Sequence, residues 1–327
     1  MSAPRPLTAK ELAAEKARRV RIRRRRRTLT LLVTAVAVVA AAWAWKGRPL
    51  VTGSSSAGVQ LDPSAFSPTA CMAFAPTSGD RHTTVFLDAG HGGLDPGAVG
   101  TTSSGTTIDE GTETLPVELD AAQLLRADGY RVVVSRTTDS NVVHLTPADL
   151  SDGILSLQGA HDDVAARDVC ADLSGAAVLV GIYFDSGASA SDAGSVTTYD
   201  TARPFSAANL ALATLVQKDV LAAMNAQGWQ IPDDGVQPDS EEGSLVQTST
   251  DSSLAQAAAS YGHVLLLGPA DPGFFATPST MPGALIEPLF VTDPFEGTLA
   301  STPSDQEVIA RGVAKAIEQY LAPAHSG

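Results

Sequence analysis

From about residue 84 to residue 321, short apolar runs alternate with stretches of helical period, and many of the runs end at glycine or proline. Thr84–Leu87, Arg131–Ser135, Ala177–Tyr183, His263–Leu267 and Ala284–Pro288 read as strands. Ser195–Tyr199 alternates and reads as an edge strand. Leu115–Arg126, His161–Leu173, Phe205–Ala226 and Gln306–Leu321 read as helices; Gly129 is the stop signal after the first. Strand–helix alternation predicts an α/β fold, a single mixed, mostly parallel sheet with helices on both faces. Function in such sheets sits beyond the C-terminal ends of strands. The polar, acidic stretch 232–260 is expected as a loop over that edge.

The chain ahead of this region has a different character. Residues 1–45 hold eleven of the 22 Lys and Arg but only two of the 36 Asp and Glu, so the rest is strongly acidic. An acidic body argues against nucleic acid as a partner. Residues 1–27 end in an arginine block, and Thr28–Trp45 carry no charge. Eighteen residues of helix span about 27 Å, close to a bilayer core. The expectation is a cytoplasmic basic segment (1–27) and a single-pass transmembrane signal-anchor (28–45) in the cell membrane, with the C-terminal body outside. A cleaved signal peptide is the alternative, with Ala40, Ala42 and Ala44 as small residues for a peptidase. Residues 46–80, rich in Gly, Ser, Pro and Ala, read as a flexible linker, leaving 81–327 as the catalytic-type domain. The two cysteines, Cys71 and Cys170, would lie in an oxidising space, where a disulfide between them competes with two unpaired thiols.

Three places carry chemistry. In Leu87-Asp88-Ala89-Gly90-His91-Gly92-Gly93-Leu94-Asp95-Pro96-Gly97-Ala98, a histidine leaves the end of a strand among glycines that permit close approach. That position suits a metal ligand or a base, against a turn with an incidental histidine. The His-Gly-Gly turn of esterases is excluded because no Gly-x-Ser-x-Gly elbow follows. A dinucleotide fingerprint fails because Asp95 stands where glycine is needed. Glu110, just before the first helix, is a second candidate, with Glu113 its competitor; acidic residues there commonly serve the helix dipole. Glu287, closing the apolar run Ala284–Ile286, is the third. A carboxylate so placed is costly to desolvate without a task, and a buried one can act as a general base, against a merely structural bond to a loop.

The whole pattern resembles the zinc-dependent N-acetylmuramoyl-L-alanine amidases of the type-3 family, which cleave peptidoglycan. The resemblance spans about residues 83–322. It rests on Val85–Ala98, on Glu110 with Leu115, on Gly129–Arg136 with Asp139, on Val178–Ile182, and on Ala284–Phe290 followed by Asp293 and Glu296. It implies a zinc ion held by His91 and Glu110, Glu287 as the catalytic residue, and peptidoglycan as the partner. The family's second histidine position is occupied here by Tyr183, in Gly181-Ile182-Tyr183-Phe184-Asp185. A third metal ligand is then expected from Tyr183 as phenolate, from Asp185, or from His144. His263 would sit at the wrong end of the sheet, and His82, His161 and His325 read as surface residues. Two functions stay open: hydrolysis of the bond between N-acetylmuramic acid and L-alanine, or a degenerate module that binds peptidoglycan or regulates a wall enzyme. An activator protein is a further open partner.

Overall fold

The structure is a computed structural model that describes residues 58–242 and 253–322. The basic segment 1–27, the expected anchor 28–45 and the first part of the expected linker, 46–57, lie outside the described residues. Among the described residues no helix is long and apolar enough to cross a membrane.

In chain order the elements are β1 (Val59–Gln60), β2 (Ala70–Phe74), β3 (Thr84–Ala89), β4 (Val99–Thr101), β5 (Thr107–Asp109), α1 (Glu110–Ala127) and β6 (Arg131–Arg136). A 3-10 turn (Pro147–Asp149), β7 (Leu150–Ser151), β8 (Ile154–Leu155), α2 (Leu157–Ser174), β9 (Val178–Ile182) and β10 (Ser195–Tyr199) follow. The chain continues through α3 (Ser206–Ala226), β11 (Asp233–Pro238), α4 (Asp239–Glu242), α5 (Ser253–Tyr261), β12 (Gly283–Glu287), α6 (Pro294–Ala300) and α7 (Pro303–Leu321).

The main sheet has eight strands in the order β1-β2-β6-β3-β9-β12-β10-β11. Its centre, β6-β3-β9-β12, is parallel throughout. β2 joins β6 antiparallel, β10 joins β12 antiparallel, and β11 runs parallel to β10. The mixed, mostly parallel sheet of the sequence reading is therefore present.

Parallel strands covered on both faces are apolar at nearly every position, because successive side chains alternate between two interiors. Val85, Leu87, Val132, Val134, Val178, Val180 and Ile182 pack with α1, α3 and α7 through Val117, Leu125, Leu212, Val216, Ile309 and Val313. Phe86, Val133, Leu179 and Leu285 face the other way, against Ala166, Cys170 and Ala171 of α2 and against Leu266 and Leu267.

Four expectations change. Residues 58–80 are not a tether: β1 and β2 extend the sheet, and β2 covers what would be the exposed edge of β6. The apolar run Ala70–Ala75, whose Ala70 and Cys71 are fully buried, carried the signal, but three of its six residues are alanine and it stands in a stretch rich in Ser, Thr and Pro. His263–Leu267 is a turn rather than a strand, closed by Leu267 N and Gly268 N donating to the Val264 carbonyl at 3.0 and 2.9 Å. A five-residue apolar run does not distinguish strand from buried turn by its period. Ser195–Tyr199 is not the edge; β11, drawn from the supposed loop 232–260, lies outside it. His161 is buried, with Nε2 2.9 Å from the Phe274 carbonyl.

Cys71 and Cys170 form a disulfide joining β2 to α2, with a Cα–Cα distance of 5.6 Å and a sequence separation of 99. Closing a loop of that size restricts the unfolded chain by about 4–5 kcal/mol in the chain-entropy account. Replacing both cysteines by alanine is expected to lower the unfolding free energy by about that amount, measured by denaturant titration of the oxidised and substituted proteins.

Candidate active site

The ends of three neighbouring parallel strands are level. Ala89 of β3 pairs with Ile182 of β9, and Ile182 pairs with Ile286 of β12. Gly90 N donates to the Ile182 carbonyl, and Tyr183 N donates to the Ile286 carbonyl. The residues that follow, His91, Tyr183 and Glu287, therefore emerge along one edge of the sheet. The outer two strands are two spacings, about 10 Å, apart.

The turn carrying His91 has little freedom. His91 has φ +57°, in the left-handed region that a side chain rarely adopts. Two buried arginines grip the carbonyls on either side of it. The Arg167 guanidinium donates to the Ala89 carbonyl at 2.6 Å and to the His91 carbonyl at 2.7 Å. Arg136 donates to the carbonyls of Ala89, Gly90 and Gly111 at 3.2, 3.1 and 2.6 Å. Arg167 is neutralised by Asp88 and Asp163, at 2.7 and 2.9 Å. Each arginine thus satisfies carbonyls that a tight turn cannot pair in the sheet.

Glu110 is the first residue of α1 rather than a residue ahead of it; Asp109 is the N-cap, accepting from Thr112 N. The Glu110 carboxylate is buried. It accepts from Phe184 N at 2.9 Å through Oε1 and from Ala98 N at 3.0 Å through Oε2. That same Oε2 lies 3.2 Å from His91 Nε2. On the other ring nitrogen, His91 Nδ1 is 2.9 Å from Asp95 Oδ2. Burial works against a charged imidazole. The Glu110 charge, with hydrogen bonds to Asp95 and Glu110, overcomes it and raises His91 to about 10. Gly97 must be glycine twice over: its φ is +63°, and a Cβ there would meet Glu110 Oε2 at 2.6 Å and the His91 ring at 2.7 Å. Glu113, the competitor, is turned elsewhere and accepts from Gln306 Nε2 at 2.9 Å.

His91 and Glu110 thus meet directly. The three candidates for a third ligand do not complete the set in the same way. The Tyr183 ring stands edge-on to His91, with centroids 5.3 Å apart, but its hydroxyl donates to Asp88 Oδ2 at 3.2 Å. Burial first, and then the Asp88 charge, push this phenol well above its ordinary range. His144 is exposed, with Nε2 3.3 Å from the Pro63 carbonyl, beside the segment preceding β2. Asp185 is half-buried; its Oδ1 accepts from Ser186 N at 2.6 Å, and its backbone bridges to Phe290. Among the described residues, the group of three metal-capable side chains that converges is Asp200, Asp239 and His263, not one containing His91.

Glu287 is 7% exposed and ends β12 opposite Val196 of β10. The loop after it is fastened by Glu296, which accepts from Phe290 N at 2.8 Å and Gly194 N at 3.3 Å. Sequence reasoning found His91, Glu110 and Glu287, but not the roles of Asp95, Arg136, Arg167 and Glu118, which hold His91 and the turn that carries it.

Glu118 is fully buried beneath this edge. Its Oε1 accepts from Ala89 N, Ser135 N and the Ser135 hydroxyl at 3.0, 3.0 and 3.1 Å. Burial raises its pKa to about 8 against the net pull of Arg136 and these donors. The folded state therefore holds a proton that the unfolded state releases near its ordinary pKa. Stability should fall as pH rises from about 4.5 towards about 8. Glu118→Gln removes the ionisation, so unfolding free energies compared at pH 5 and pH 9 should show its advantage over the unsubstituted chain growing with pH.

A family model described as N-acetylmuramoyl-L-alanine amidase matches residues 85–319. Among solved structures, the CwlD amidase of Clostridioides difficile, determined in complex with the GerS lipoprotein, is similar at 21% identity. The alignment covers 73% of this chain and 98% of that one, with a TM-score of 0.52. The catalytic domain of CwlV, the amidase of Bacillus (Paenibacillus) polymyxa var. colistinus, is similar at 22% identity over 73% and 98% of the two chains, with a TM-score of 0.49. No curated protein matches the chain. The family match covers the sheet from β3 onward, the His91 turn, Glu110 and Glu287, and on that ground the chain belongs to the N-acetylmuramoyl-L-alanine amidases, a family of cell-wall hydrolases acting on peptidoglycan.

Proposed function

We propose that the protein is an active, zinc-dependent amidase that hydrolyses the bond between N-acetylmuramic acid and L-alanine. The single observation that carries this reading is the contact of His91 Nε2 with Glu110 Oε2, 3.2 Å, at the strand edge that Glu287 also reaches. An imidazole nitrogen and a carboxylate oxygen are donors that suit zinc, and Asp95 on the far ring nitrogen is the outer-shell partner such a histidine needs. Zinc held there supplies polarisation of the lactyl-amide carbonyl and a water acidic near neutral pH. His91 and Glu110 orient that chemistry, with Arg136 and Arg167 fixing the turn. The Glu287 carboxylate takes a proton from the attacking water and returns it to the departing alanine nitrogen. We place this activity outside the cell membrane, tethered through residues 28–45.

The position of Tyr183 favours the second reading, a module that binds peptidoglycan without cleaving it. Its ring packs edge-on against His91, but the hydroxyl of this side chain, which stands for the family's second histidine, is committed to Asp88. Peptide release from purified sacculi in added zinc separates the two. The active reading expects release by the unsubstituted chain, with Glu287→Gln slower by about 10²- to 10⁴-fold. No release by the unsubstituted chain overturns it. Tyr183→His is expected to tighten zinc binding by about tenfold or more, measured by competition with a chromophoric chelator. Unchanged affinity would show that this branch of the strand end does not reach the metal.

A further inference from the structure

The second place of interest lies at the opposite edge of the sheet. β10 is antiparallel to β12, so Asp200, directly after β10, sits near the start of β12 rather than its end. It is four residues beyond Val196, the partner of Glu287, and so about 13 Å away along the strand. Asp239 follows β11, which runs parallel to β10, and arrives at the same edge. His263 comes from the turn after α5. Three segments remote in sequence thus deliver two carboxylates and one imidazole to one point, with ligand atoms all within 4.8 Å of one another.

Both aspartates are fully buried. His263 Nδ1 is 2.8 Å from Asp200 Oδ2 and 3.1 Å from Asp239 Oδ2. One ring nitrogen has one proton to give, and the geometry directs the hydrogen bond to Asp239. Asp200 Oδ2 is left buried without a hydrogen bond, facing the imidazole nitrogen, and Asp239 Oδ1 is likewise without one. The other Asp200 oxygen is committed to Ala202 N and Arg203 N. Arg203 is the nearby cation, yet its guanidinium is directed at the carbonyls of Leu267, Gly268 and Ser279. Two buried carboxylates crowd one shared nitrogen, and burial with the neighbouring Asp200 carboxyl pushes Asp239 up to about 7, so the group is costly unless a proton or a cation held between the aspartates completes it.

We propose that Asp200, Asp239 and His263 form a second cation site, built for a first-row divalent ion of the zinc type and distinct from the His91–Glu110 edge. One nitrogen and two carboxylate oxygens fit that class of ion, and the N···O separations are near the roughly 3.3 Å edge of a tetrahedral site with bonds of about 2.0 Å. The ion replaces the proton on His263 Nδ1 and neutralises both aspartates. It clips the ends of β10 and β11 to the turn that covers the α2 face of the sheet, so its role is structural. The inference does not depend on the hydrolytic reading.

The test uses the full chain carrying His91→Ala and Glu110→Gln, which removes the other donor pair. After chelator treatment and dialysis, this variant is expected to take up one equivalent of Zn²⁺ and to melt at a higher temperature when loaded. Adding Asp200→Asn and His263→Ala should weaken that uptake by more than the roughly 10- to 100-fold that loss of an outer-shell partner costs. Absence of zinc uptake by the His91→Ala/Glu110→Gln chain, or uptake unchanged by the second pair of substitutions, overturns the proposal. If the second pair disturbs folding, Co²⁺ provides the readout in the chain that retains Asp200 and His263: the His263 imidazole resonances should broaden beyond detection. Unaffected His263 resonances would also overturn it.

Discussion

Two guanidinium groups buried beside a single turn organise the functional end of this molecule. Arg136 and Arg167 between them bind the carbonyls of Ala89, Gly90 and His91. These are groups that leave the sheet and would otherwise be stranded in the interior. A buried arginine is itself expensive unless paired, and here Asp88 and Asp163 supply the counter-charge for Arg167. The arrangement is mutually dependent. Without the carbonyls the arginines lose their acceptors, and without the arginines His91 has no reason to hold a left-handed backbone.

The same network takes in the tyrosine that follows β9. Tyr183 adds to the polar cluster beneath the turn, its hydroxyl donating to the Asp88 carboxylate that also pairs with Arg167. Gly90 packs against this ring so closely that a Cβ would lie 2.5 Å from it. The phenol is therefore built into the turn rather than projecting into an open cleft.

At the far edge the logic is inverted. Asp200, Asp239 and His263 bring charge into the interior with too few partners, whereas Glu110 has each oxygen bonded to a backbone amide.

The sequence alone determined the parallel centre of the sheet, because doubly covered strands must be apolar at every position, and Val85–Leu87, Val132–Val134 and Val178–Ile182 are. It also determined His91, Glu110 and Glu287 as candidates, since glycine-flanked histidine and strand-end carboxylate are local patterns. Only the tertiary structure decided that residues 58–80 belong to the sheet, that Cys71 reaches Cys170, that Tyr183 turns to Asp88, and that His263 meets two aspartates. Each of these is a contact between segments far apart in the chain. A local pattern records which face of an element is buried, but not which distant group it is buried against. That choice is made by strand order and by the pairing of charges that burial leaves no water to satisfy.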